Sequence, residues 1–275
     1  MGQNNLDVAT TKLALAFLYQ YRGEYDLAEP LYQESLDTRK QLLGDDYFDI
    51  VESISAIGFL EQTKGDYERA LSYFLNAFNM SKRLASGDNE YVAETMKNLG
   101  GIYRILGRSD EAEAILRNAL TIQKRLYNDG PHPKIDNTKR ELAGLLRNSR
   151  RFEEAKSLYK EVIDSRTKIL GPDHVEVAHV WNSYSQLLSD MDESDAAIAA
   201  NKIFIEIMLR AYSGPHPSLG AAYNNRATLL KNNGQLEEAI EQFQLSINMQ
   251  DAVGLAKRHV NRSFPLGGLG LVYLE

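Results

Sequence analysis

Four of the five histidines, His132, His174, His216 and His259, fall at intervals of 42, 42 and 43 residues. Imidazoles can ligate a metal or move a proton, but metal ligands must converge within a few ångströms on one ion. Residues that recur once per repeat sit on successive units about a helix-pair width apart, so the spacing assigns these histidines a structural loop role and no metal site. Cysteine is absent, which excludes disulfides, thiolate zinc sites and cysteine nucleophiles. Gly267-Gly268-Leu269-Gly270 is glycine-rich, yet it follows no strand pattern and lacks the spacing that wraps a phosphate. With no nucleophile elbow, no H-E-x-x-H and no compact His/Asp/Glu set, the expectation is no catalytic residue and no cofactor.

Composition narrows the partner class. The 275 residues carry 31 basic and 38 acidic side chains, a formal charge of −7, which disfavours a nucleic acid or an anionic lipid surface as the partner of the whole molecule. An apolar share of 43%, a charged share of 25% and only 7 prolines describe an ordinary globular chain. No apolar run approaches a membrane span, and the N-terminus lacks the plan of a secretory signal. A soluble, cytoplasmic protein without membrane insertion is expected.

The elements that position any site are set by a repeat. Ala28, Ala70, Ala112, Ala155, Ala197 and Ala239 are spaced by 42, 42, 43, 42 and 42 residues. Five residues before them stand Gly23, Gly65, Gly107, Arg150, Asp192 and Gly234, where a helix should stop and turn. Before each turn a helical stripe recurs, as Leu15-Ala16 with Tyr19, Leu99-Gly100 with Tyr103 and Leu142-Ala143 with Leu146. After it, Ala28, Tyr32 and Ser35 are matched by Ala70, Phe74 and Ala77 and by Ala112, Leu116 and Ala119, with small residues where helices approach closely. Each unit is thus a helix A, a turn and a helix B, the second ending in cations such as Arg39-Lys40, Lys82-Arg83 and Lys124-Arg125 that suit the negative end of its dipole. Loops at Gly130-Pro131-His132-Pro133, Gly171-Pro172-Asp173-His174 and Gly214-Pro215-His216-Pro217 separate the units. One hairpin cannot hide its apolar face, so neighbours must stack into an all-helical solenoid.

These residues resemble the tetratricopeptide repeat. Trp181, Leu99-Gly100, Tyr103, Ala112, Phe74 and Ala77 sit at that family's signature offsets, and the 42-residue period with its Leu-Gly-Pro-Asp-His loop at Leu170 to His174 is similar to the repeats of kinesin light chain. The resemblance implies an all-α, right-handed superhelical solenoid of antiparallel helix pairs. It covers residues 1–275 as a single array, with units near 9–50, 51–92, 93–135, 136–177, 178–219 and 220–262 and a truncated seventh unit at 263–275. Leu269-Gly270 and Tyr273 keep the helix A phase there, and the missing helix B implies a longer chain.

The same resemblance implies a concave face lined by the second, fifth, ninth and twelfth positions of helix A. Those offsets hold Lys97 and Arg104, Arg140 and Arg147, Asn182, then Asn224 and Lys231, with Phe17 and Phe59 at the N-terminal end. The expectation is a basic stripe, diluted by Glu52 and Glu94, for an acidic peptide whose carboxylates an arginine fork can grip. Asn98 and Asn225, at the sixth position, resemble the asparagines with which kinesin light chain grooves hold a ligand backbone, since an amide both donates and accepts. A chaperone-type carboxylate clamp is not expected, because Gly101 and Gly144 stand where it needs asparagine. Asn201 and Arg226 replace a large and a leucine-type core residue, and Arg226 is expected to reach water or a carboxylate.

The leading expectation is therefore a noncatalytic scaffold that binds an extended, acidic protein or peptide segment, as a cargo adaptor does. The alternatives are a regulatory or sensor arm of a larger multidomain enzyme or signalling ATPase, with further domains on the same chain, and an architectural spacer.

Overall fold

The computed structural model describes residues 5–253 and 260–272, and all its regular elements there are helices. They form two compact units, Met1–Gly130 and Pro131–Glu275. The first holds α1 (Leu6–Tyr21), α2 (Tyr25–Leu43), α3 (Phe48–Lys64), α4 (Tyr67–Leu84), α5 (Glu90–Ile105) and α6 (Ser109–Leu126). The second holds α7 (Pro133–Asn148), α8 (Phe152–Leu170), α9 (Val175–Asp190), α10 (Ser194–Ala211), α11 (Pro217–Asn232), α12 (Leu236–Ala252) and α13 (Val260–Val272). Within each unit consecutive helices pack in sequence, odd-numbered helices being the expected helix A and even-numbered ones helix B. The all-α helix-pair class read from the repeat is the class observed.

Each helix A begins three residues before the expected unit boundary, because the cap lies there. Asn5 and Asn89 accept the backbone N–H of Asp7 and Tyr91 at 3.0 and 2.8 Å. At the same phase in the second unit, His132, His174 and His216 accept the N–H of Lys134, Glu176 and Ser218 through Nδ1, each at 3.2 Å. The recurring loop histidines are thus helix caps that satisfy otherwise orphaned donors. His259 and Tyr273 lie outside the described residues.

The turn between A and B is the same six times. Gly23, Gly65, Gly107 and Gly234 have φ between 74° and 87°, and Arg150 and Asp192 take the same left-handed region at 57° and 59°. The residue after each donates its N–H back to the last turn of helix A at 2.9 Å, as in Asp66 to Glu61 O and Arg151 to Leu146 O. Close packing of A on B explains the small residues: a Cβ on Gly58 would stand 2.9 Å from the Phe74 ring, and one on Gly100 would stand 2.5 Å from Leu116.

Two cations do more than complement a helix end. Arg39 is buried, and its guanidinium donates to Asp49 O at 2.7 Å and to Glu52 at 2.9 Å, joining α2 to α3. Arg166, buried at the same phase three repeats further along in α8, pairs with Glu176 of α9 and Asn137 of α7. The glycine-rich run 267–270 lies within α13, where the Phe243 ring fills the room that a Gly268 Cβ would take. It is a packing surface for α12 rather than a phosphate loop.

Candidate functional site

The expected groove residues all lie on odd-numbered helices, and each unit presents its own set. In the first, Phe17 is 61% exposed on α1, and Phe59 on α3 is 40% exposed with its ring edge against Phe74 at 5.0 Å between centroids. Gln20, at the twelfth position of the first repeat, bonds Phe59 O at 3.2 Å and Thr63 at 2.8 Å while accepting from the Tyr32 hydroxyl at 2.7 Å. That amide ties α1 to α3 beside the two phenylalanines. Lys97 on α5 is paired with Glu94 one turn earlier, so Glu94 neutralises this part of the stripe. Asn98 is buried with its Oδ1 lacking a hydrogen-bond partner, and Arg104 is half-buried at the end of α5.

In the second unit the face is more polar and contains a cavity. Arg147, on α7, pairs with Asp190 at the end of α9 and donates to Gln186 at 3.0 Å. Asn225 on α11 donates to Asn182 Oδ1 on α9 at 3.1 Å, so two of the expected amides form one ladder. A cavity of about 190 Å³ opens beside them, lined by Arg147, Ser185, Gln186, Asp190, Asn225 and Thr228 among others. Asn224 is half-buried with an unpartnered Oδ1, while Arg140 and Lys231 are half-buried on α7 and α11.

Chemically this surface offers amide, hydroxyl and guanidinium groups, a set that can pair with main chain or carboxylate. The expected basic stripe is partly self-compensated, since Arg147 and Lys97 each hold an acid of their own unit. Gln186, Thr228 and Ser189 occupy the ninth and twelfth positions but are uncharged, so a search for cations passes over them. His179, at the second position on α9, was also not singled out. Burial lowers its pKa, and Arg140, Arg166 and His216 add to the effect against Glu176, so it stays neutral near pH 7. Trp181 packs against the buried cluster that holds Phe204 and Met208 and edge-on to Tyr184, as a structural aromatic does. Among the described residues, no group of three or more His, Asp or Glu could hold a metal, and no helix is long and apolar enough to cross a membrane.

Comparison with known proteins agrees with this architecture. Tetratricopeptide repeat profiles match residues 8–46, 49–125, 134–202 and 220–252. One of them alone covers more than half of the chain, which therefore belongs to the tetratricopeptide repeat family. No curated protein matches its sequence. Among solved structures, BtubC (BKLC) from P. vanneervenii is similar at TM-score 0.65 and 20% identity, over 92% of both chains. A putative kinesin light chain of Podospora anserina, with nearly identical repeats, is similar at TM-score 0.62 and 18% identity, over 77% of this chain and 100% of that one. NprR, solved in complex with its cognate peptide NprX, is similar at TM-score 0.63 and 17% identity, over 97% of this chain and 72% of that one; its ligand-free form from B. thuringiensis is described as a quorum sensor. Repeats of this fold generally serve as noncatalytic protein-interaction scaffolds.

Proposed function

We propose that this chain is a cytoplasmic, noncatalytic adaptor whose repeats, residues 1–275, hold an extended acidic segment of a partner protein along the helix A faces. The observation that carries the reading is the cavity beside the Asn182–Asn225 ladder, where amides and hydroxyls converge with Arg147. Amides suit ligand main chain with little sequence demand, and the guanidinium adds a preference for carboxylate. Asp190 tempers that preference until a ligand carboxylate competes for Arg147. NprR, a protein of similar fold, is solved in complex with its cognate peptide NprX, which supports a peptide as the class of ligand. Recruitment of a cargo segment, the duty implied by the resemblance to kinesin light chain, is the form of adaptor we propose.

The test is fluorescence anisotropy with pools of acidic and neutral peptides. Wild type should capture acidic peptides selectively and lose them as salt rises, whereas Arg104→Glu combined with Arg147→Glu should lose the selectivity. Asn182→Ala with Asn225→Ala should weaken acidic and neutral peptides alike. Equal binding of both pools by wild type and the arginine variant would overturn the acidic reading, and no binding at all would leave the spacer in its place.

A further inference from the structure

The register of the repeat locates a gap in the core of the second unit. In each repeat the first large residue of helix B packs on a small residue of its own helix A, as Phe74 does on Gly58 and Leu116 on Gly100. It also meets the next helix A, as Tyr159 of α8 meets Tyr184 of α9 with ring centroids 6.4 Å apart. Moved forward by 42 residues, these three positions are Asn201 on α10, Ser185 on α9 and Arg226 on α11. A ring or leucine is therefore replaced by a short amide, a glycine or alanine by a hydroxyl, and a tyrosine or leucine by a guanidinium.

Each of the three keeps at least one buried polar atom that the protein does not satisfy. Asn201 is fully buried, and neither its Oδ1 nor its Nδ2 has a hydrogen-bond partner. Ser185 is 1% exposed with an unpartnered Oγ, and Arg226 holds a buried, unpartnered Nη1. The apolar core divides around them. Ile198, one turn before Asn201, packs with Ala227, Leu230 and Phe243, whereas Phe204 and Ile205, one turn after it, pack with Leu219 and Ala222. Ser185 also lines the 190 Å³ cavity on the helix A face. The repeat register sets Asn201 against Ser185, as Phe74 is set against Gly58, on the inner side of that cavity wall.

Leaving a buried amide, a buried hydroxyl and one buried guanidinium nitrogen unpaired costs free energy at each group. Their donors outnumber their acceptors and one carries a positive charge, so a small planar anion complements all three. We propose that Ser185, Asn201 and Arg226 form a recess beneath the groove that takes a single carboxylate of the bound segment, from an acidic side chain or from a chain terminus. This rests on the groove reading for the source of the carboxylate, while the recess chemistry stands on its own residues. Arg147 and Asp190 line the mouth of the cavity above it.

The test fills the recess with the residues that other repeats use. The variant Ser185→Ala, Asn201→Phe, Arg226→Leu adopts the types seen at Ala143, Phe74 and Leu99, and Asn201→Leu alone, after Leu116, serves as a milder second variant. Both should melt at a higher temperature than wild type. The probes are fluorescent octapeptides carrying one Glu, or Gln in its place, at each position in turn, with free or amidated C-termini. Wild type should prefer Glu at one position, or a free terminus, by at least about tenfold, and that preference should vanish in both variants while the Gln peptide still binds. Dependence on the Glu position identifies a side chain as the source, and dependence on the free end identifies a terminus. If peptides bind without preference, or the preference survives the variants, the recess is a packing defect and the proposal fails with the groove intact. If no peptide binds, the groove reading fails, and glutarate at tens of millimolar decides the recess. A melting-temperature rise over chloride of equal ionic strength, present in wild type and absent from the variants, sustains it, and no such rise ends it.

Discussion

The two compact units follow one repeat with different strictness. In Met1–Gly130 every A-to-B turn has a glycine in the left-handed position, and the residues packed between paired helices are Tyr32, Phe74 and Leu116. In Pro131–Glu275 two of the three turns force Arg150 and Asp192 into that position, the helix caps are histidines, and a core ring is lost at Asn201. The second unit also holds the Asn182–Asn225 ladder and the cavity beside it. The lesson is that the unit departing further from the repeat is the one whose helix A face holds this ladder and its cavity. The first unit has its own polar exception in Gln123, buried with neither amide atom partnered.

The contrast is broken most directly in the core. Phe74→Ala should destabilise the chain by about 3–5 kcal/mol, whereas Asn201→Ala should cost below about 1 kcal/mol because that site lacks a packed ring already. Urea denaturation followed by circular dichroism measures both, and equal costs would show that Asn201 is as well packed as Phe74. The turns come next. Arg150→Gly should stabilise by roughly 1 kcal/mol and Gly65→Arg should destabilise by a similar amount, with Asp192→Gly gaining less because aspartate tolerates the left-handed region better.

The caps give the smallest and most conditional difference. Burial lowers the pKa of His216 in the folded chain below its unfolded value near 6.5, so folding favours the neutral ring whose Nδ1 accepts from Ser218. That contribution is fully present above about pH 6.5 and is lost as pH falls through the lower folded value. His216→Asn, which installs the cap of Asn5 and Asn89, should flatten the acid-induced loss. The readout is unfolding free energy at pH 7.5 against pH 5.5. An unchanged slope would mean that the His216 cap does not distinguish the units.

Much of this was legible from spacing. The 42-residue phase of Ala28 to Ala239, the turn positions and the repeated loop histidines gave helix pairs and a structural role for the imidazoles, although not their role as caps. Close approach of the paired helices was legible at the small residues of helix B such as Ala28, Ala70 and Ala112, whereas the packing of Phe74 on Gly58 and of Leu116 on Gly100 came from the structure. The groove offsets were legible too, but not which of their charges are already matched. Lys97 with Glu94 is an i,i+3 pair that the helical phase contains, whereas Arg147 with Asp190 joins two repeats through long side chains.

The sequence by itself therefore determined the helical class, the order of A and B helices and the positions of their turns, because each depends on residues within a few places of one another or on strict periodicity. Only the tertiary structure decided that Arg39 and Arg166 are buried links between helices, that Arg147 is held by Asp190, and that Ser185 and Asn201 have no partner. A hydrogen bond forms or fails over about 3 Å, and that distance is set by how helices and long side chains pack rather than by which residues recur.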